Sequence, residues 1–202
     1  MQLSDLDLNS VYTYADYFKW KFEERVELIK GKIFKMSAPN RFHQKLVFAI
    51  HRRLDDFLIG KSCEVYESPF DVRLPSKTKK DKNDNQVINV FQPDVCVICD
   101  LSKLDFRGCI GAPDIVVEVL SPGNAAKELK RKYEVYEESG VKEYWIVSPA
   151  YQWVRVYSLV NEKFQESPYF VPGDTLTSSV LPGFSLSIEE LFKDITPEAW
   201  GY

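Results

Sequence analysis

The chain predicts a mixed α/β (α+β) protein, a β-sheet core flanked by helices with additional antiparallel strands, and three observations carry that prediction. A long segment of helical period follows a tight hairpin near the start. Short β-branched runs then recur between turn residues up to a second helical segment, and three further strand-like runs follow it. Helices interleaved with strands in one chain imply layers packed on a mixed sheet. The 202 residues, 45% of them hydrophobic, suffice for one domain across 1–202, with a core over about 23–160 and residues 161–202 as an extension.

In order, a short helix is expected around Thr13 to Trp20. Arg25 to Ile29 and Lys32 to Met36 form a hairpin with Gly31 in its turn. Pro39 and Asn40 open a helix to about Ile59, whose apolar face holds Leu46, Val47, Ile50, Leu54, Phe57 and Leu58, with Gly60 as its stop. Strands follow near Cys63–Tyr66, Phe70–Leu74, Val87–Phe91, Asp94–Cys99 and Pro113–Leu120, with a lysine-rich loop over 76–86. Ser121 to Asn124 break the last of these and start a helix to Ser139, stopped by Gly140. Strand-like runs at Glu143–Ser148, Trp153–Val160 and Phe164–Tyr169 precede a short helix through Ile188 to Phe192.

Composition excludes some classes of function. No apolar run approaches the roughly 18–20 residues that span a bilayer, and no basic start leads into an apolar stretch, so no membrane association and a cytoplasmic location are expected. Net charge is −4, which argues against a surface built for tight, non-specific nucleic-acid binding but leaves DNA open as a substrate. Local basic clusters at Arg41, Lys45, Arg52 and Arg53, at 77–82 and at 127–132 are either solvated faces or DNA contacts. The four cysteines do not form a disulfide framework by spacing. Cys96 and Cys99 are three apart in a strand and point to opposite faces, so all four are expected as buried small hydrophobes rather than zinc ligands.

Three acidic positions interrupt or begin apolar strands: Glu27, Asp94 and Glu118. An ionised carboxylate in such a setting costs several kcal/mol or changes its protonation unless a cation, a metal or chemistry accounts for it. Carboxylates suit Mg²⁺ or Mn²⁺. Asp114 shares the face of Glu118, yet its place at the strand start allows it to be merely solvated. In the following helix Leu129, Lys132 and Tyr136 fall on one inward stripe. Lys132 therefore either points at the carboxylates, where it can orient a nucleophile or stabilise developing charge, or snorkels and pairs with Glu128 or Glu118 for structure alone. His43 lies on the stripe of its helix, as a site residue or as a hydrogen-bonded half-buried histidine.

On these residues the chain resembles the PD-(D/E)XK nuclease superfamily and, within it, the Uma-type restriction-endonuclease family. The matching stretches are Glu27-Leu28-Ile29-Lys30-Gly31, Met36-Ser37 with Pro39, His43-Gln44, Gln92-Pro93-Asp94 and Gly111 through Pro122. They continue through Lys132, Tyr133 or Tyr136, and Gly140 through Val147. The resemblance implies a restriction-endonuclease-like fold and a metal-dependent endonuclease acting on DNA. Asp94 and Glu118 would be the ligands of Mg²⁺ or Mn²⁺, Lys132 would be the basic catalytic residue, Glu27 a helper, and His43 would stand at the edge of the site. Leu120 occupies the superfamily's lysine position, so Lys132 on the next helix has to take that role; Lys30, Gly123-Asn124 and Glu128 also depart from the usual Asp, Ser-Thr and Asp. The alternative is a catalytically inactive nucleic-acid-binding or protein-interaction module on the same fold. Cutting duplex DNA with one site per chain suggests a homodimer.

Overall fold

A computed structural model describes residues 2–75, 83–121 and 126–195, with side chains from residue 129 onward in the last stretch. Helix α1 (Tyr14–Tyr17) precedes the hairpin of β1 (Val26–Ile29) and β2 (Lys32–Lys35), and then comes α2 (Arg41–Leu58). Next are β3 (Glu64–Glu67), β4 (Asp71–Arg73), β5 (Val90–Phe91), β6 (Val95–Ile98), β7 (Leu104–Asp105), β8 (Gly108–Ile110) and β9 (Ile115–Val119). Helix α3 (Ala126–Ser139) leads to β10 (Glu143–Ser148), β11 (Trp153–Val160), β12 (Lys163–Glu166), β13 (Thr175–Thr177), β14 (Ser185–Ser187) and α4 (Ile188–Phe192).

Two six-stranded sheets result. The central one runs β12-β11-β10-β9-β6-β3 and the second β2-β1-β5-β4-β8-β7. Within the central sheet only β9 and β10 are parallel, as their connection through α3 requires. Every residue of β9 is buried, the pattern of a strand covered on both faces, and this explains its continuous Ile-Val-Val sequence. One face packs Ile115, Val117 and Val119 against Leu46, Ile50 and Leu54 of α2 and against Leu176, Phe184 and Ile188 of the C-terminal segment. On the other, Cys96, Val116 and Tyr144 meet Val135 and Tyr136 of α3 together with Val72 and Phe91 of the second sheet. Fully burying each such side chain contributes about 1.5–3 kcal/mol.

The start of α2 follows from Asn40, whose side chain accepts hydrogen bonds from the Phe42 and His43 amides at 3.1 and 2.9 Å. That cap fixes where the helix begins and hence the direction in which His43 leaves it. Gly31, at φ +75°, takes the left-handed turn position between β1 and β2, and a Cβ there would stand 2.4 Å from Val11.

The cysteine expectation needs correction. Cys63 and Cys99 form a disulfide, while Cys96 and Cys109 are buried free thiols as expected. The register explains the pair: Glu64 lies opposite Ile98 in the antiparallel β3–β6 ladder, so the next step outward sets Cys63 against Cys99. The strands β7, β8, β13 and β14 were not anticipated; each is two or three residues long, too short for periodicity to register. Most of the lysine-rich loop, 76–82, lies outside the described residues.

The C-terminal extension is held to the central sheet by Glu143, which is 1% exposed. Its carboxylate accepts from Trp145 Nε1 (2.9 Å), Ser178 Oγ (2.9 Å), the Ser179 amide (2.7 Å) and Ser179 Oγ (2.6 Å). With the Val180 amide at 3.3 Å these make five donors on one carboxylate, more than an amide oxygen can accept. Glu143→Gln is therefore expected to lower stability by about 2–4 kcal/mol in urea denaturation, because its NH₂ would face donors; a change below 1 kcal/mol would contradict the assignment.

Candidate active site

Three elements converge where β9 ends. Asp94 opens β6 and Glu118 lies near the end of β9; the register Val95 opposite Val117 sets the two carboxylates on neighbouring cross-strand positions. Like charges so placed repel. Glu27 enters from β1 in the second sheet. Lys132 rises from α3 into the space between, its Nζ 3.0 Å from Glu118 Oε1 and 3.0 and 3.1 Å from the two oxygens of Glu27. Glu27, Glu118 and Lys132 are all at least nine-tenths buried.

Further donors hold this floor in place. Tyr136, one turn beyond Lys132, donates to Glu118 Oε1 at 2.9 Å. The Gln92 amide donates to Glu27 Oε1 at 2.9 Å, and the Val119 amide to Asp94 Oδ2 at 2.7 Å. From α2, His43 Nε2 stands 3.2 Å from the same Asp94 oxygen. The floor opens into a cleft of about 320 Å³ between the β1–β2 hairpin and α2, lined also by Arg25, Met36, Val47, Phe48 and Ser121.

The charge states follow from burial and neighbours. Burial pushes the Glu118 carboxyl up to about 8, with the Asp94 and Glu27 charges adding to it against the pull of Lys132. Lys132 is held well above its ordinary value because the two glutamates outweigh its burial. Burial lowers His43, but the Asp94 hydrogen bond and the Asp94 and Glu118 charges more than offset it, so its net shift is upward. The floor is thus a lysinium held between Glu27 and Glu118, the latter pushed toward its neutral form, beside an aspartate shared by a histidine and a backbone amide.

A hard divalent cation fits this donor set in part. Asp94 and Glu118 each retain one oxygen without a hydrogen-bond donor among the described residues, and Mg²⁺ characteristically takes one or two carboxylates and completes its shell with water and phosphate. Among the described residues no group of three or more His, Cys, Asp or Glu side chains is placed to enclose a metal ion. The protein would therefore supply a half-site, the remainder coming from solvent and substrate.

All five expected site residues, Glu27, His43, Asp94, Glu118 and Lys132, line this one cleft. Asp114 does not join them. It shares the Glu118 face but sits four residues back, roughly 13 Å along the strand; its carboxylate binds the Cys99 amide at 2.7 Å and Lys142 Nζ at 2.6 Å. Tyr136 was read as inward-facing but not as a partner of Glu118, although its i+4 spacing from Lys132 puts both on one helix face. The amides of Gln92 and Val119 carry no side-chain signature, and nothing in the sequence marked them.

Two expected outcomes follow. Lys132→Met leaves two buried carboxylates without their cation and should cost about 3–5 kcal/mol in urea denaturation; adding Glu27→Gln should restore part of the loss, and a purely additive double variant would contradict the shared bridge. Because the folded Glu118 carboxyl lies above its ordinary value, the native state binds more protons between about pH 4.5 and 8, so this group's contribution to stability is present at acid pH and lost as pH rises through 8. Glu118→Gln should flatten that part of the metal-free stability profile.

Relatives place the fold and the family. Two uncharacterized proteins of Synechocystis sp. are similar to this chain: one is 26% identical over 136 residues, 66% of each chain, and the other 24% identical over 158 residues, covering 76% of this chain and 84% of the relative. A crystal structure described as a putative nuclease belonging to DUF820, from Anabaena variabilis, superposes with a TM-score of 0.71 at 19% identity over 91% of this chain and 99% of that one, a likeness of fold. Residues 14–189 match the model of the Uma2 family, described as "Putative restriction endonuclease", and with that match spanning most of its length the chain belongs to the Uma2 family.

Proposed function

We propose that the protein is a metal-dependent endonuclease that hydrolyses phosphodiester bonds of DNA. The observation that supports this reading is the position of Lys132: the chain has Leu120 where an E-x-K lysine would stand, and the lysine from α3 reaches Glu118 at 3.0 Å in its place. Asp94 and Glu118 are the residues to hold Mg²⁺ or Mn²⁺, and the ion would polarise the scissile phosphate and lower the pKa of a water. Glu27 fixes Lys132 from the opposite side, so the ammonium keeps one position when a substrate arrives. In that position Lys132 can orient the attacking water and offset charge growing on the phosphate. His43, at the Asp94 edge, can orient that carboxylate. Cutting both strands of a duplex with one site per chain calls for two copies, so this reading carries a homodimer, with the exposed aromatic Tyr169 beside the C-terminal strands as a candidate contact. It also places the protein in the cytoplasm with its substrate, where the Cys63–Cys99 bond would meet cellular thiols.

A second reading is favoured by one feature, the neutralisation of Glu27 and Glu118 by Lys132: on it the carboxylates form a structural network, and the protein is an inactive nucleic-acid-binding or interaction module. Calorimetry with Mn²⁺ beside a plasmid-nicking assay separates the two. On the nuclease reading Asp94→Asn and Glu118→Ala weaken ion binding and reduce nicking by roughly 100-fold or more, and Lys132→Gln keeps the ion while losing rate. Ion binding unaffected by Glu118→Ala removes the assigned site, whereas a bound ion with no cleavage of any DNA favours the second reading.

A further inference from the structure

The cleft above the carboxylate floor has two unlike sides. Phe48 is 62% exposed, and of the large apolar side chains that the described residues leave exposed it is the one lining this cleft. With Val47, its neighbour on α2, it makes an apolar wall, while Met36 stands across the cleft beside Arg25, whose carbonyl accepts from the Met36 amide at 2.9 Å. Phe48 stands one helical turn after Gln44, so the two share a face of α2, and both line the cleft with Val47. Opposite, Arg25 is held in place: its Nε and Nη2 donate to Gln92 Oε1 at 3.0 and 2.5 Å, and Nη2 also donates to Ser68 Oγ. Its Nη1 has no acceptor among the described residues and is available to an anion.

We infer that the cleft takes one unstacked nucleotide, its base resting on Phe48 and its phosphate lying between Arg25 and the Asp94–Glu118 floor, so that the nucleotide held at each site is unpaired or extruded from its duplex rather than stacked within it. The inference rests on the nucleic-acid reading of this site and narrows it. A volume of about 320 Å³ is at the small end of ligand clefts, room for one nucleotide and too little for a stacked base pair with both its strands. An aromatic face recovers the stacking that a base loses on leaving its neighbours, and it does so for any base. A hydrocarbon wall, a fixed guanidinium and an acidic floor within one cleft are the three surfaces that a base, a phosphate and a phosphate-bound divalent ion require.

The test is fluorescence anisotropy of a labelled single-stranded oligonucleotide and of the same sequence as a duplex, with Ca²⁺ present, beside a cleavage assay in Mn²⁺. The single strand should bind at least tenfold more tightly. Phe48→Ala should weaken it by about 5- to 100-fold and Phe48→Trp should restore it, while Phe106→Ala, an exposed aromatic outside this cleft, should change nothing. Equal affinity for duplex and single strand, or no loss in Phe48→Ala, overturns the inference. So does conversion of a dimer to a monomer by Phe48→Ala in light scattering, which would make this face a contact between copies. Phe48-dependent binding of single strands without cleavage would count against the nuclease reading and leave the inference standing; cleavage indifferent to Phe48 and to strand pairing would do the reverse.

Discussion

Among the described residues Lys132 is the one cation in contact with two buried carboxylates that come from different sheets, Glu27 in the second sheet and Glu118 in the central one. Its removal would leave like charges in a low-dielectric space, and its presence ties both sheets to α3 at a single point. The apolar contacts of Tyr136 and Val135 with Val116 and Tyr144 then bring that helix close enough for a lysine stem to reach. The polar bridge depends on apolar packing, and the packing leaves room for the bridge. Glu118 in particular would be hard to tolerate in an otherwise hydrophobic strand without the ammonium and the Tyr136 hydroxyl beside it.

The second carboxylate pair is arranged differently. Asp94 and Glu118 lie across adjacent strands with no lysine between them, and Asp94 is held by a backbone amide and His43 instead. Both residues line the cleft. Each of these two carboxylates keeps an oxygen without a protein donor among the described residues, and this distinguishes them from Glu143, both of whose oxygens accept from protein donors. Burial alone therefore separates neither case; the number of oxygens that meet a protein donor does.

Much of this was legible along the chain. A carboxylate within Ile115–Val119 is an anomaly of pattern, and the same reasoning singled out Glu27 and Asp94. The helix bounds were legible too, since Asn40 and the apolar spacing of α2 are local signals. The Cys63–Cys99 pair was not: two residues 36 apart meet because a ladder register carries them together, and register is a property of paired strands. Asp114 shows the opposite failure, a residue with the right face and the wrong distance along its strand.

The sequence by itself determined which residues would be buried and charged, because hydrophobic period and the cost of an isolated carboxylate are one-dimensional facts. It also determined that Lys132 and Tyr136 share a helix face, since 3.6 residues per turn needs no partner to specify it. Only the tertiary structure decided that α3 lays that face over Glu118, that Glu27 arrives from another sheet to complete the bridge, and that Phe48 and Arg25 stand on opposite sides of one cleft. Those are distances between segments far apart in the chain, set by how the two sheets and the helices pack, and no local pattern encodes them.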